Sequence, residues 1–256
     1  MSQPLRGHRT PAWIAGAVLA GTLIATPAAG AEADATAEPR AALVREIEAE
    51  VAYLAPQLGF DRLQPAVVDA VRRTPRHEFV PEALQAHAYE NRPLPIGSGQ
   101  TISQPLIVAL MTHLLDVQAG ATVYELGTGS GYQAAVLAEM GVNVYSVEIV
   151  EPLAERARQT LAALGYARAH VRAGDGYLGW PDAAPFDAVI ITAALEHVPA
   201  PLTEQLRPGG RLVMPIGQRS GAQQLAVFIK APDGTLQRRD VLTVMFVPVT
   251  GPSVDR

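Results

Sequence analysis

Cysteine is absent from the 256 residues. Its absence excludes disulfides, zinc–thiolate centres and a thiol nucleophile, and also a lipid anchor on an N-terminal cysteine. Positive charge is short as well: 20 Lys and Arg face 25 Asp and Glu, for a net charge of -5. No basic excess points to nucleic acid, and no run of like charge points to a charged tail. The six histidines fall at no metal-motif spacing such as H-E-x-x-H, so no metal site is expected. There is no phosphate-loop lysine and no internal repeat. Apolar residues are plentiful, at 48% of the chain, enough for a core in one domain or two small ones.

Residues 1–31 read as a targeting segment. Arg6, His8 and Arg9 give a positive start, an uncharged stretch follows, and Ala29-Gly30-Ala31 fits a small-x-small cleavage site. The alternative is a retained anchor, because the uncharged stretch is about long enough to span a bilayer. Its richness in Ala and Gly rather than Leu favours cleavage. The expectation is a periplasmic or exported protein with no stable membrane association after cleavage. Residues 32–40 read as a linker. Residues 41–256 read as one domain, with a helical part over 41–92 and an α/β core over 93–256.

Apolar positions at helical spacing predict helices over 41–54 and 65–73, and a third short one over 81–88. Residues 91–99 hold two prolines and two glycines and read as a loop. The spacing then predicts a helix over 101–115, a strand over 122–126 and a helix over 132–140. Further strands are expected over 143–148, 170–173, 187–192 and 211–215, with helices over 152–164 and near 201–206. Two last strands, 224–229 and 241–248, flank a turn at Pro232-Asp233-Gly234. Alternating strands and helices imply a mostly parallel sheet with helices on both faces and an antiparallel hairpin at its edge.

Chemistry concentrates after the first core strand. Gly127, Thr128, Gly129, Ser130 and Gly131 form a glycine-rich turn between strand and helix, where backbone can approach a ligand. Taken alone, G-x-G-x-G is also compatible with a tight structural turn. Glu148 ends the next strand about 20 residues later, placed to accept from ribose hydroxyls. Asp175 and Gly176 follow the third strand, where an adenine edge would lie. Glu125 stands just before the loop and either caps the loop's amides or meets the cationic end of a ligand. The nicotinamide fingerprint is G-x-G-x-x-G, and here the third glycine comes one residue early. A cationic ligand such as S-adenosylmethionine fits the acids better than a pyrophosphate does.

A series of motifs resembles the protein-L-isoaspartate O-methyltransferases. These are Arg76-His77-Glu78-Phe79-Val80-Pro81, Ala88-Tyr89, Pro93-Leu94-Pro95-Ile96-Gly97 and Gly99-Gln100-Thr101-Ile102-Ser103-Gln104-Pro105. The cofactor-loop segment from Glu125 to Gln133, Gly174-Asp175-Gly176, Gly179-Trp180-Pro181, Pro208-Gly209-Gly210 and Phe246-Val247-Pro248 continue the likeness over about residues 41–250. The resemblance implies a Rossmann-like class I methyltransferase. Such an enzyme moves a methyl group from S-adenosyl-L-methionine to the α-carboxylate of L-isoaspartyl residues, leaving S-adenosyl-L-homocysteine. The ester then closes to a succinimide whose hydrolysis returns some normal aspartate.

By the same resemblance Ser103 is the active-site serine, with Gln104 and Pro105 beside the substrate. Gln100, Thr101 and Ile102 lie where cofactor and substrate meet. Gly127, Thr128, Gly129 and Gly131 with Glu125 form the cofactor loop, Glu148 is the ribose acid, and Asp175-Gly176 is the adenine pair. Gln223 aligns with a late cofactor-contacting glutamine. Leu106 and Leu195 depart from the family pattern and border the expected substrate cleft.

Residue chemistry gives Ser103 two compatible roles. It precedes Gln104-Pro105 and an apolar helical run, as an N-cap does, and it could position a substrate carboxylate. His77 and His87 read as surface or packing residues, Trp180 as a packing anchor, and His197 as a residue near the cleft. The expected partners are isoaspartyl proteins and peptides, with the enzyme a monomer. A small-molecule methyltransferase and a silent cofactor-binding module are the alternatives on the same fold. Export sits in tension with a cytosolic methyl donor, and the next methionine, Met111, lies deep in the domain.

Overall fold

The structure, a computed structural model, describes residues 35–218 and 221–254. All of them belong to one compact unit, and the expected targeting segment lies outside them. Helix α1 is Ala37–Tyr53, so the last residues read as linker are already helical. The short α2 (Ala55–Leu58) and α3 (Pro65–Arg73) follow. A 3-10 turn at Arg76–Phe79 precedes a second one at Glu82–His87, which stands in place of the third expected helix.

Residues 91–99 correct the loop expectation. They contribute to a hairpin of β1 (Leu94–Gly97) and β2 (Gln100–Ile102). Two-stranded hairpins consist of edges only, so Pro95 is tolerated there, and Ser98 and Gly99 turn the chain with positive φ. The helix expected from residue 101 therefore starts later, as α4 (Pro105–Leu115). Every residue of α4 except His113 is buried. An all-round apolar helix of this kind belongs inside a core.

The core sheet takes β3 (Thr122–Leu126), β4 (Asn143–Glu148), β5 (Ala169–Ala173), β6 (Phe186–Ile191), β7 (Leu206–Ile216), β8 (Gln223–Lys230) and β9 (Leu236–Val244). Helices α5 (Tyr132–Glu139), α6 (Glu151–Ala163) and α7 (Ala200–Gln205) connect them. The strand order is β5-β4-β3-β6-β7-β8-β9. The first five strands are parallel to their neighbours, and β8 and β9 close the edge antiparallel. The order reverses between β3 and β6, which opens a ligand crevice at their carboxyl ends.

Strand alternation splits the core in two. Val123, Val144 and Ile190 face one way and pack with Leu43, Ile47, Val67 and Leu110. Tyr124, Leu126 and Val189 face the other way, with Leu202 and Val249. The N-terminal helices thus share a core with the sheet.

The last strand starts earlier than the apolar pattern indicates. Gln237, Arg238, Arg239 and Asp240 lie within β9, because an edge strand carries charge on its open side. Residues 245–248 then leave the edge and return to the sheet's centre. Ala194 N donates to Val247 O at 2.8 Å, and Val249 N donates to Ala194 O at 2.9 Å.

Candidate active site

The glycine loop leaves β3 with three left-handed residues, Gly127 (φ 94°), Gly129 (φ 55°) and Gly131 (φ 89°). At Gly127 a Cβ would stand 2.5 Å from Thr192 Oγ1, so any side chain would collide with the neighbouring strand's exit. Thr192 donates through Oγ1 to the carbonyls of Leu126 and Gly127, tying that exit to the loop. Gly127 N donates to Val147 O at 2.9 Å and Gly131 N to Thr128 O at 2.8 Å. Gly129 N donates to Glu148 Oε2 at 2.7 Å. These three amides are spent within the chain. A pyrophosphate, which relies on free amides at such a loop, would meet the Glu148 carboxylate instead.

Glu148 is held rigidly beside the loop. Its two oxygens accept Gly129 N and Val150 N (3.0 Å), which fixes the carboxylate and leaves each oxygen a lone pair. It lines a narrow cavity together with Gln100, Thr101, Gly127, Gly176 and Thr192. The segment from Val247 to Thr250 lines it too. Gly176 reaches this cavity, and Asp175 stands behind it. Asp175 Oδ1 accepts Tyr177 N at 3.1 Å and Oδ2 accepts Ser253 N at 3.2 Å.

Glu125 corrects the expectation that it meets the ligand or caps the loop. It shares the Val123 face of β3, is fully buried and lines neither cavity of the site. It accepts no loop amide; Glu148 takes that part. Its Oε2 accepts Ser146 Oγ at 2.5 Å, Ser146 Oγ pairs with Thr128 Oγ1, and Oε1 has no partner among the described residues. Burial pushes its carboxyl up to about 8, against the Ser146 hydrogen bond and aided by the charge of Glu148. The Glu148 carboxylate beside the loop suits a cationic ligand and disfavours an anionic one.

Protonated Glu125 favours the fold. That stability is fully present below the ordinary value of 4.5 and is lost as pH rises toward about 8. Glu125→Gln is therefore expected to flatten the melting-temperature profile of the ligand-free protein between about pH 5 and pH 8.5. A variant whose melting temperature falls as steeply as that of wild type would contradict this.

A second, larger cleft of ≈ 910 Å³ adjoins the first. It is lined by Ser103, Gln104, Leu106 and Ile107 at the start of α4 and by Glu50, Met245 and Phe246. Thr101, Thr192 and Val247 line both cavities, so the two meet at that partition. Ser103 is not the helix cap. Gln104 occupies the N-cap without a side-chain bond, and the first free amide, Leu106 N, goes to Asn91 Oδ1 at 3.0 Å. Ser103 lines the cleft, and its hydroxyl has no hydrogen bond among the described residues.

Three further expectations change. Ile102 turns into the core and lines neither cavity, because β2 alternates. Gln223 is a clamp rather than a ligand contact: Nε2 donates to Gln218 O and Gly221 O, and Oε1 accepts Phe246 N. Leu195 is buried in the second core, whereas Leu106 does border the cleft. His197 pairs with the Tyr177 hydroxyl at 3.1 Å and lines neither cavity. Trp180 packs as expected, under the Arg172 guanidinium at 4.0 Å.

Sequence reasoning missed Thr192, Asn91 and Arg76. The buried Arg76 donates to Ala88 O at 2.9 Å and lies over the Tyr132 ring at 4.9 Å. It joins the N-terminal part to the loop helix. Only its place in the Arg76–Pro81 motif could have flagged it. Among the described residues no cluster of three metal-ligating side chains occurs and no helix is long and apolar enough to cross a membrane.

The glycine loop at the switch point, the carboxylate of Glu148 beside it and the adjoining cleft, on this sheet order, define a class I S-adenosylmethionine-dependent methyltransferase. Comparison narrows the class. The family model of protein-L-isoaspartate(D-aspartate) O-methyltransferase matches residues 54–253, and the chain belongs to that family. It is 52% identical over 230 residues to protein-L-isoaspartate O-methyltransferase 2 of Syntrophobacter fumaroxidans, covering 90% of this chain and 93% of that one. It is 53% identical over 218 residues to protein-L-isoaspartate O-methyltransferase 1 of Cupriavidus necator, covering 85% and 84%. A solved protein-L-isoaspartate O-methyltransferase superposes with TM-score 0.70 at 28% identity, covering 80% of this chain and 66% of the other. A Plasmodium falciparum structure, titled a complex with S-adenosyl-L-homocysteine, shares the fold with TM-score 0.68 at 20% identity, covering 82% and 98%.

Proposed function

We propose that the two cavities hold donor and acceptor of one methyl transfer, with the partition of Thr101, Thr192 and Val247 as the point of reaction. The chain is a protein-L-isoaspartate O-methyltransferase that uses S-adenosyl-L-methionine. The observation that carries the site assignment is the junction itself: one narrow cavity against the glycine loop and Glu148, and one peptide-sized cleft holding an unbonded Ser103 hydroxyl.

When bound, S-adenosyl-L-methionine supplies a methyl group already activated by its sulfonium charge. The chain's residues supply position. Glu148 takes the ribose through its remaining lone pairs, Gly127 gives close approach, and Gly176 lies beside the adenine. Glu125 acts through Ser146 and Thr128 to hold the loop. Ser103 donates to the isoaspartyl carboxylate, and the positive end of α4 faces the same cleft. A carboxylate is already ionised at neutral pH, so no general base is required. One carbon–sulfur bond breaks as one carbon–oxygen bond forms, and no proton moves. Rate therefore comes from alignment and from shutting out water, in keeping with two cavities whose described lining residues include no histidine.

The test is labelled-methyl transfer to an isoaspartyl peptide and to its aspartyl twin. Transfer to the isoaspartyl peptide alone is expected. Transfer to neither, with donor still bound, would favour a small-molecule acceptor or a silent binding module. For location, the positive start, uncharged stretch and small-x-small site of residues 1–31 support export to the periplasm. Activity found only in the cytoplasmic fraction of native cells would overturn that placement.

A further inference from the structure

The acceptor cleft has almost no charge of its own. Glu50, near the end of α1, is the one charged side chain in its wall among the described residues. It lies upstream of residue 54, where the family match begins. Its Oε2 accepts Asn91 Nδ2 at 2.9 Å, and Asn91 Oδ1 accepts Leu106 N at 3.0 Å. The carboxylate is thus held two hydrogen bonds from the first turn of α4, beside the segment that presents Ser103. Asn91 is neutral and does not cancel the charge, and Glu50 forms no ion pair among the described residues.

We infer that Glu50 sets the charge preference of the cleft, favouring isoaspartyl peptides with a cationic residue near the damaged position and rejecting acidic neighbours. The inference rests on the cleft's assignment to the peptide. An extended chain advances about 3.3 Å per residue, so residues close to the methylated one pass the cleft wall. The isoaspartyl carboxylate is itself negative and belongs at the α4 end, with the Ser103 hydroxyl. A flanking side chain meets Glu50 instead. A half-exposed ion pair is worth a few-fold in affinity, and the swing from attraction to repulsion compounds it to about tenfold between Lys and Glu at low salt.

The test uses isoaspartyl peptides identical except for Lys, Gln or Glu beside the isoaspartate, placed before it in one series and after it in another. Wild type and Glu50→Gln are compared by kcat/KM at about 50 mM and about 500 mM salt. Gln keeps an acceptor for Asn91, and retained donor binding shows the variant is folded. In at least one series wild type is expected to rank Lys over Gln over Glu. The Lys-to-Glu ratio should be near tenfold at low salt and collapse at high salt, and the variant's ratio should lie within about twofold of one. A ratio untouched by Glu50→Gln overturns the inference. A wild-type ratio that ignores salt also overturns it and needs no variant. Wild type that methylates none of the peptides would instead mean that the cleft assignment itself has failed.

Discussion

Glu148→Gln is expected to weaken S-adenosyl-L-methionine binding by about 100-fold, or about 3 kcal/mol. The substitution looks conservative, and the geometry says otherwise. Both carboxylate oxygens accept backbone amides, Gly129 N at 2.7 Å and Val150 N at 3.0 Å. A carboxamide has one oxygen, so its NH₂ must face one of those N–H groups, donor against donor. The loop then loses its anchor on the second strand, and the ribose loses one acceptor. Hydrogen bonds to a charged partner are worth about 1.5–3 kcal/mol each, which sets the size of the effect. Loss of negative charge beside a cationic ligand acts in the same direction. Calorimetric titration of donor into wild type and variant checks this. Affinity within threefold of wild type would remove Glu148 from the donor site.

Ser103→Ala is expected to lower kcat on an isoaspartyl peptide by about 10- to 100-fold while leaving donor affinity within about twofold. The hydroxyl makes no hydrogen bond within the described protein and caps no helix, so the fold has little to lose with it. Asn91 and Gln104 hold the start of α4 without it. What is lost is one donor to the reacting carboxylate. Misalignment of an in-line displacement appears in kcat more than in donor binding. Single-turnover methylation beside donor titration separates the two. An unchanged kcat would leave the hydroxyl with no part in catalysis.

Much of the fold was legible because its core is periodic. β3 and β4 fall at the expected residues, since buried parallel strands between loop signals leave little freedom. The cofactor loop was legible for a related reason: three left-handed positions in five residues demand glycine. The β1–β2 hairpin was not legible, because prolines read as loop when a two-stranded edge tolerates them. The edge strand β9 was displaced, because Arg238, Arg239 and Asp240 have no apolar rhythm and are held by pairing with β8.

At the site, spacing put Glu148 beside the glycine loop, where it accepts Gly129 N, and the likeness to the family put Ser103 forward, which lines the larger cleft. Glu125 was misjudged because proximity to the loop in sequence does not reveal which sheet face a side chain takes. Gln223 was misjudged because a buried glutamine that satisfies backbone has the same letter as one that meets a ligand. Asn91, Glu50 and Thr192 come from distant segments and meet only in three dimensions, so no local pattern announces them.

The central claim is that donor and acceptor meet at Thr101, Thr192 and Val247. It is tested most directly by a crystal structure of the enzyme with S-adenosyl-L-homocysteine and an isoaspartyl peptide together. The account predicts the sulfur turned toward that partition, the ribose on Glu148, and the isoaspartyl carboxylate within hydrogen-bond reach of the Ser103 hydroxyl. A sulfur pointing away from the partition, or a peptide carboxylate seated elsewhere, would contradict it.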